Sequence, residues 1–92
     1  MDVRRVIGAN VRRYRLQADL TQARVAELMG VDRAYVSALE RGQRNPTVLS
    51  LWNIAEALGV HIASLFAEDV LQLDQGSRGK RATKAPVKAV RP

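Results

Sequence analysis

Cysteine is absent from this chain of 92 residues, and histidine occurs once, at position 61. Without cysteine there can be no disulfide framework and no thiolate zinc site, and a lone histidine predicts no metal site. No serine stands beside His61 in a pattern that indicates a catalytic triad. We therefore expect a protein that is not an enzyme and that uses no metal and no cofactor.

Long apolar runs are also absent, although 47% of the residues are apolar. No run approaches the roughly 20 residues that a membrane span needs. The first residues, MDVRRVIGANVRRYR, carry too much charge too early for a secretory signal. We expect no membrane partner and a location in the cytoplasm. The length suits one small domain, and the apolar content is sufficient for one compact core.

Basic residues are missing from the middle of the chain, where residues 46–73 hold three acidic residues and no lysine or arginine. Residues 1–45 hold nine arginines and five acidic residues, which gives +4, and residues 74–92 hold six basic residues and one acidic residue, which gives +5. Basic segments at both ends indicate a polyanion as partner. The acidic middle is expected to face away from that partner.

No stretch alternates polar and apolar residues convincingly with the period of a β-strand, and apolar spacings of three and four residues predict helices instead. The expected fold is all-α, with helices over about residues 3–18, 22–29, 33–41, 48–58 and 61–73. From residue 74 onward the periodicity is lost and no aromatic residue occurs. Such a segment cannot bury enough apolar surface to offset the entropy of ordering. We expect a folded domain over residues 1–73 and a disordered basic tail over residues 74–92.

Residues that favour helix ends stand at the predicted boundaries. Asp2, Thr21 and Asp32 are candidates for N-caps, whose side chains accept a hydrogen bond from the first turn. Gly30 and Gly42 stand where the second and third helices end, as glycine commonly does. Only three residues separate the second helix from the third, which suits two short helices that cross steeply.

Four short motifs follow one another along the chain. They are I-G-x-x-V-R-x-x-R in residues 7–15, L-T-Q-x-x-V-A-x-x-x-G-V in 20–31, V-S-x-L-E-R-G-x-R-x-P in 36–46 and L-x-x-I-A-x-A-L-G-V in 51–60. In this order and spacing they resemble the Cro/C1-type (Xre) helix-turn-helix family of phage and bacterial repressors, over about residues 6–67. The resemblance implies a five-helix, lambda-repressor-like DNA-binding domain whose second and third helices form the helix-turn-helix.

The third helix is then expected to enter the major groove of DNA and to contact bases through Arg33, Ala34, Ser37 and Ala38. Arg33 lies in the first turn, where a recognition helix meets base edges, and arginine can bind guanine through two hydrogen bonds. A solvated surface arginine is the alternative. Ala34 and Ala38 could contact thymine methyl groups or could only leave room, and Ser37 could bond a base or a phosphate.

Contacts to the DNA backbone are expected from Thr21, Gln22, Tyr35, Arg44 and Asn45. In the family, the glutamine that matches Gln22 contacts the backbone while the free amides of its helix N-terminus face phosphate, as helix N-termini favour. Thr21 could add a hydroxyl contact beyond its role as a cap. Tyr35 could contact phosphate or pack at the edge of the domain. Arg44 and Asn45 lie in the loop after the third helix, which matches another backbone-contacting segment.

Two further groups of residues have structural roles in the family. Arg15 and Glu40 match a pair that forms a salt bridge between the first and third helices. Trp52, Leu65 and Phe66 lie on the fourth and fifth helices, which often form the two-fold interface of related dimers. Leu65 and Phe66 are also expected to face inward, and Trp52 could instead pack against the end of the fifth helix.

The expected function is that of a transcriptional regulator that binds a near-palindromic site on double-stranded DNA as a homodimer. It would act in a bacterial or phage-infected cell, in association with the nucleoid, and no small-molecule ligand is evident. A controller protein of a restriction–modification system, a prophage repressor and an antitoxin all remain open. The alternative is a module that binds proteins or coats DNA without sequence preference through its basic tail.

Overall fold

The computed structural model describes residues 2–71, and every regular element in that part of the chain is helical. The elements are α1 (Val3–Gln17), α2 (Gln22–Met29), α3 (Arg33–Glu40), α4 (Val48–Leu58) and a 3-10 helix (Ile62–Phe66). The predicted all-α fold with five helices is confirmed. The predicted tail over residues 74–92 lies outside the described residues. No helix between residues 2 and 71 has the length and apolar character to cross a bilayer.

Side chains cap the N-termini of three helices. Asp2, Thr21 and Thr47 each have extended backbone and accept a hydrogen bond from an amide of the first turn of α1, α2 and α4. Hydrogen bonds from Arg4 lower the pKa of the Asp2 carboxyl. Asp32 has the same extended backbone before α3, but its side chain makes no capping hydrogen bond. The prediction that the Asp32 side chain caps α3 is therefore wrong, and the position is a cap by backbone conformation alone.

The core joins α1, α2, α3, α4 and the 3-10 helix through aliphatic side chains. At most 1% of each of the following residues is exposed: Val6, Val11, Val25, Val36, Leu39, Ile54 and Leu65. The α3 helix packs against α1 and α2, whereas α4 packs against α2, the 3-10 helix and α1. Because its inner side alone enters the core, α3 keeps an outer face that the described elements leave uncovered.

The last helical segment differs from the predicted helix over residues 61–73. The 3-10 helix ends at Phe66, the backbone of Ala67 is extended, and residues 69–71 are helical again. The side chain of Asn10, fully buried in α1, donates to the carbonyls of Leu65 and Ala67, both at 2.9 Å. These two carbonyls bond a side chain rather than the amides of a continuing helix. The buried Val70 then returns to the core.

Helices α1 and α3 approach each other closely at Gly8. A Cβ atom added at Gly8 would lie 2.3 Å from the carbonyl oxygen of Leu39 and 2.8 Å from that of Glu40. Real Cβ atoms do not come so close to backbone oxygens, so any larger residue must push α3 away from α1. The glycine therefore fixes the position of the helix that carries the predicted reading face.

Gly8→Ala is expected to destabilise the protein by about 1–3 kcal/mol, the usual cost of overpacking a core. This reverses the ordinary order of stability, because alanine usually stabilises the interior of a helix by about 1 kcal/mol relative to glycine. Urea unfolding measures the change. The control is Ala23→Gly, at an exposed site of α2, which should show the ordinary order. A more stable Gly8→Ala variant would contradict the close approach of the two helices.

Candidate nucleic-acid interface

The corner between α2 and α3 consists of three residues, from Gly30 to Asp32. Gly30 has a left-handed backbone with φ of 74°, and the Val31 amide donates to the carbonyl of Ala26 at 2.9 Å. Glycine adopts this conformation without steric cost, which lets the chain turn sharply. The two helices thus form a compact helix-turn-helix.

A chain of hydrogen bonds joins the predicted Arg15–Glu40 pair to Gln22 and Arg33, which the sequence indicated independently of that pair. The Glu40 carboxylate accepts from Arg15 Nε at 2.6 Å and from Arg15 Nη2 at 3.0 Å. Glu40 Oε1 also accepts from Gln22 Nε2 at 3.1 Å, and Gln22 Oε1 accepts from Arg33 Nη1 at 3.0 Å. The structure therefore links α1, the start of α2 and both ends of α3 through side chains.

The inner half of this chain is buried and the outer half is exposed. Only 11% of the Arg15 side chain and 4% of the Glu40 side chain are exposed. The hydrogen bonds to Glu40 raise the pKa of Arg15, and Arg15 also donates to the carbonyl of Leu20 at 3.0 Å. Arg33, by contrast, is exposed at the start of α3. A buried ion pair thus anchors a side chain that faces solvent.

The outer face of α3 carries small side chains and two guanidinium groups. Arg33 and Ala34 are exposed, while Ser37 and Ala38 are partly buried. The Ser37 hydroxyl accepts a hydrogen bond from Arg41, which follows α3 directly. The sequence places Arg41 at the end of this face but predicts no contact for it with Ser37. The spacing of four residues is the signal for that contact, because residues four apart are neighbours on a helix surface.

The loop after α3 lies beside Tyr35. The Arg44 guanidinium is 4.7 Å from the centre of the Tyr35 ring, within the range of a cation–π contact. Tyr35 packs against the edge of the core, as one of its two predicted alternatives requires. Asn45 is exposed next to Arg44. Tyr35 thereby supports the basic loop against the helix-turn-helix.

Two open grooves flank the first turn of α3. One, of about 530 Å³, is bordered by Arg15, Thr21, Gln22 and Arg33, beside the N-terminus of α2. The other, of about 620 Å³, is bordered by Asp32, Ala34, Tyr35 and Arg44. The predicted DNA-contacting residues of α2, α3 and the loop therefore lie close together around one helix end.

The arginines of this surface differ in their partners from four other arginines of the described chain. Within residues 2–71, Arg4, Arg13, Arg15 and Arg24 each form an ion pair with a carboxylate. No such pair involves Arg33, Arg41 or Arg44 in the described part of the chain. Their positive charges are therefore not neutralised by neighbouring carboxylates, and they can attract an anionic ligand.

A second surface is formed by apolar residues of α4. Val48, Leu49 and Trp52 are 77%, 67% and 53% exposed, and Phe66 in the 3-10 helix is 43% exposed. Leu65 is 0% exposed because it fills the core of its own chain. The assignment of Leu65 to a dimer interface is therefore wrong, and so is the expectation that Phe66 faces inward.

The comparisons with known proteins agree with this geometry. Residues 11–65 match the helix-turn-helix family HTH_3. The chain belongs to the Cro/C1-type helix-turn-helix family. It is 48% identical over 60 residues to the uncharacterized HTH-type transcriptional regulator y4dJ of Sinorhizobium fredii. The aligned residues cover 65% of this chain and 78% of that protein.

Two controller proteins are also similar to this chain. The control protein C.SmaI of Serratia marcescens is 36% identical over 76 residues, which span 83% of this chain and 90% of that protein. The restriction–modification controller protein C.Esp1396I, solved as a tetramer with its natural 35-base-pair operator, superposes with a TM-score of 0.66 at 29% identity, over 78% of this chain and 93% of that one. The predicted family is thus confirmed.

Proposed function

We propose that this protein is a sequence-specific transcriptional regulator that binds a near-palindromic operator as a homodimer. The observation that carries the proposal is the uncovered outer face of α3, at whose start the hydrogen-bonded chain from Arg15 to Arg33 holds a guanidinium. Similarity to a controller protein solved with operator DNA supports it. The similarity to the control protein C.SmaI over 90% of that protein favours the controller type of regulator.

In this proposal α3 enters the major groove with its first turn against the base edges. Arg33 binds a guanine through its O6 and N7 atoms. Ala34 and Ala38 let the helix approach closely and contact thymine methyl groups, and Ser37 holds Arg41 on the same face. Because the side chains of Ala34 and Ala38 are small, α3 lies close to the base pairs and places Arg33 at a defined depth in the groove. Few hydrogen-bonding groups can then suffice to select a sequence.

The residues around α3 position the protein on the sugar–phosphate backbone. The N-terminus of α2, with Thr21 and Gln22, directs amide groups and partial positive charge at one phosphate. Arg44 and Asn45 contact the backbone on the other side of α3, with Tyr35 supporting Arg44. Such contacts fix orientation and register but carry little sequence information.

The exposed apolar residues of α4 form the homodimer interface. Leu49 and Trp52 are three residues apart, so they lie on one face of the helix, and Val48 lies beside Leu49. Contiguous exposed apolar side chains mark interaction surfaces. Because α4 lies outside the helix-turn-helix, a dimer formed there leaves both α3 helices available. They would enter successive major grooves about 34–36 Å apart on one face of the DNA.

Arg33→Ala is expected to cost about 1–3 kcal/mol in operator binding and to relax the preference at one base pair in each half-site. Titration of the operator and of its single-base variants measures both effects. Arg24→Ala is the control, because it also removes one exposed arginine from the helix-turn-helix. An equal loss for Arg33→Ala on every sequence would show that Arg33 contacts only phosphate.

The second candidate is a module that coats DNA without sequence preference. The net charge of +5 in residues 74–92 favours it, because such a segment binds phosphates regardless of sequence and in a strongly salt-dependent way. This candidate requires the tail for binding, whereas the proposed regulator needs it only for additional affinity. A chain that ends at Leu73 therefore separates the two.

A further inference from the structure

We propose that Glu40, a residue on the protected side of α3, controls the base discrimination of Arg33 through the side-chain amide of Gln22. This inference rests on the proposed function, because it takes Arg33 to read a base. Glu40 does not contact DNA in this role. It is a positioning residue, and its influence passes through two hydrogen bonds.

The polarity of these groups leaves one orientation for the Gln22 amide. A carboxylate only accepts hydrogen bonds and a guanidinium only donates them. Gln22 lies between the two, 3.1 Å from Glu40 Oε1 and 3.0 Å from Arg33 Nη1. Its NH₂ group must therefore point to Glu40 and its oxygen to Arg33. The negative charge of Glu40 decides which end of the amide faces the reading surface.

We call the two hydrogen bonds that run from Glu40 through Gln22 to Arg33 the relay. Its Glu40 end is held rigidly. The Glu40 side chain is 4% exposed and is held by two hydrogen bonds from Arg15, at 2.6 and 3.0 Å. Arg15 is itself tied to the carbonyl of Leu20. Gln22 begins α2, so its backbone is fixed by the helix and its side chain by Glu40. Gln22 Oε1 is consequently a fixed acceptor beside α3.

Arg33 depends on that acceptor for its position. An exposed arginine loses considerable rotamer entropy when it adopts a single conformation. The hydrogen bond to Gln22 Oε1 places the guanidinium before DNA arrives, so less entropy is lost when it binds guanine through two bonds. Binding of Arg33 to phosphate tolerates many positions. Loss of the relay should therefore weaken the preference for the correct base more than it weakens binding to DNA in general.

The test uses the full chain, the operator selected by the unmodified protein, and copies of that operator with single base-pair changes. Arg33→Ala first identifies the base pair that Arg33 reads. Glu40→Gln and Gln22→Met are then expected to reduce discrimination at that base pair about threefold to tenfold, as the loss of one hydrogen bond would. For Glu40→Gln, discrimination at the other base pairs and binding to random DNA should change much less. Gln22→Met also removes a proposed backbone contact, so only its discrimination at the Arg33 base pair, compared with that at the other base pairs, is read.

A double-mutant cycle provides the second readout. Glu40 and Gln22 act through one chain of hydrogen bonds. The variant that carries both substitutions should therefore discriminate between bases no worse than whichever single variant discriminates less well. Glu27→Gln is the matched control. It removes one carboxylate charge from the same helix-turn-helix, where Glu27 pairs with Arg24 at 2.9 Å and is exposed. It should leave discrimination at the Arg33 base pair unchanged.

The possible results distinguish this inference from the proposed function. If Glu40→Gln and Gln22→Met weaken binding to all sequences equally, Glu40 is only structural and the inference is overturned. If Arg33→Ala itself leaves discrimination unchanged, the base-reading role of Arg33 in the proposed function fails, and the inference fails with it. Gln22→Met keeps the test decisive even if Glu40→Gln folds poorly, because Gln22 lies outside the buried ion pair.

Discussion

Glu40→Ala is expected to lower the free energy of unfolding by about 3–5 kcal/mol, the usual cost of removing one partner of a buried ion pair. The substitution leaves the guanidinium of Arg15, whose side chain is 11% exposed, without its carboxylate. It also removes the contact that ties the end of α3 to α1. Small domains are stable by only about 5–15 kcal/mol, so a large part of the protein should unfold near physiological temperature.

Urea unfolding followed by circular dichroism measures this change. The control is Glu27→Ala, which breaks the exposed pair of Glu27 with Arg24 and should cost less than about 1 kcal/mol. Glu40→Gln keeps the shape of the side chain and one acceptor oxygen. Its loss of unfolding free energy should therefore lie between those of Glu40→Ala and Glu27→Ala. A Glu40→Ala variant as stable as Glu27→Ala would show that the pair contributes little to the fold.

Leu49→Glu is expected to weaken binding to the complete operator about 100-fold or more, because it separates the two copies. A linked pair of binding modules gains about 10² to 10⁴ in affinity over a single one. Leu49 is 67% exposed in the single chain, so the substitution should not affect the fold. It places a charge in the apolar surface proposed to join two copies. Binding to an isolated half-site should remain as it was.

Sedimentation and titration of full and half operators test this expectation together. Leu28→Glu serves as the control for self-association, because Leu28 is 47% exposed on α2 and lies outside the proposed interface. It should leave the dimer intact. If Leu49→Glu also sediments as a dimer, the copies associate through another surface.

The helices of this protein could be predicted from sequence because their signals are local. Apolar spacing predicted four helices within a residue of their observed ends, and Gly30 marked the end of α2. The fifth helix was misjudged because its break depends on Asn10, more than 50 residues away, whose side chain bonds two carbonyls there. Likewise, nothing local distinguishes Asp32, whose side chain makes no capping hydrogen bond, from Thr21, whose side chain makes one.

The candidate site was predictable in its members but not in its connections. Motif positions indicated the Arg15–Glu40 pair, Gln22 and Arg33 independently of one another. That these four form a single chain of hydrogen bonds depends on the angle between α2 and α3 and on the distance to α1. Leu65 shows the same limit, because an apolar residue on a helix can serve the core or an interface, and only its burial decides between them.

Selection of binding sites from random DNA, with the full chain and with a chain that ends at Leu73, tests the central claim most directly. We expect both to enrich the same near-palindromic motif, with half-sites centred about one helical turn apart. The shorter chain should bind with a weaker dependence on salt, because it lacks the basic residues of the tail. Failure of the shorter chain to enrich any motif would contradict sequence-specific recognition by the helix-turn-helix.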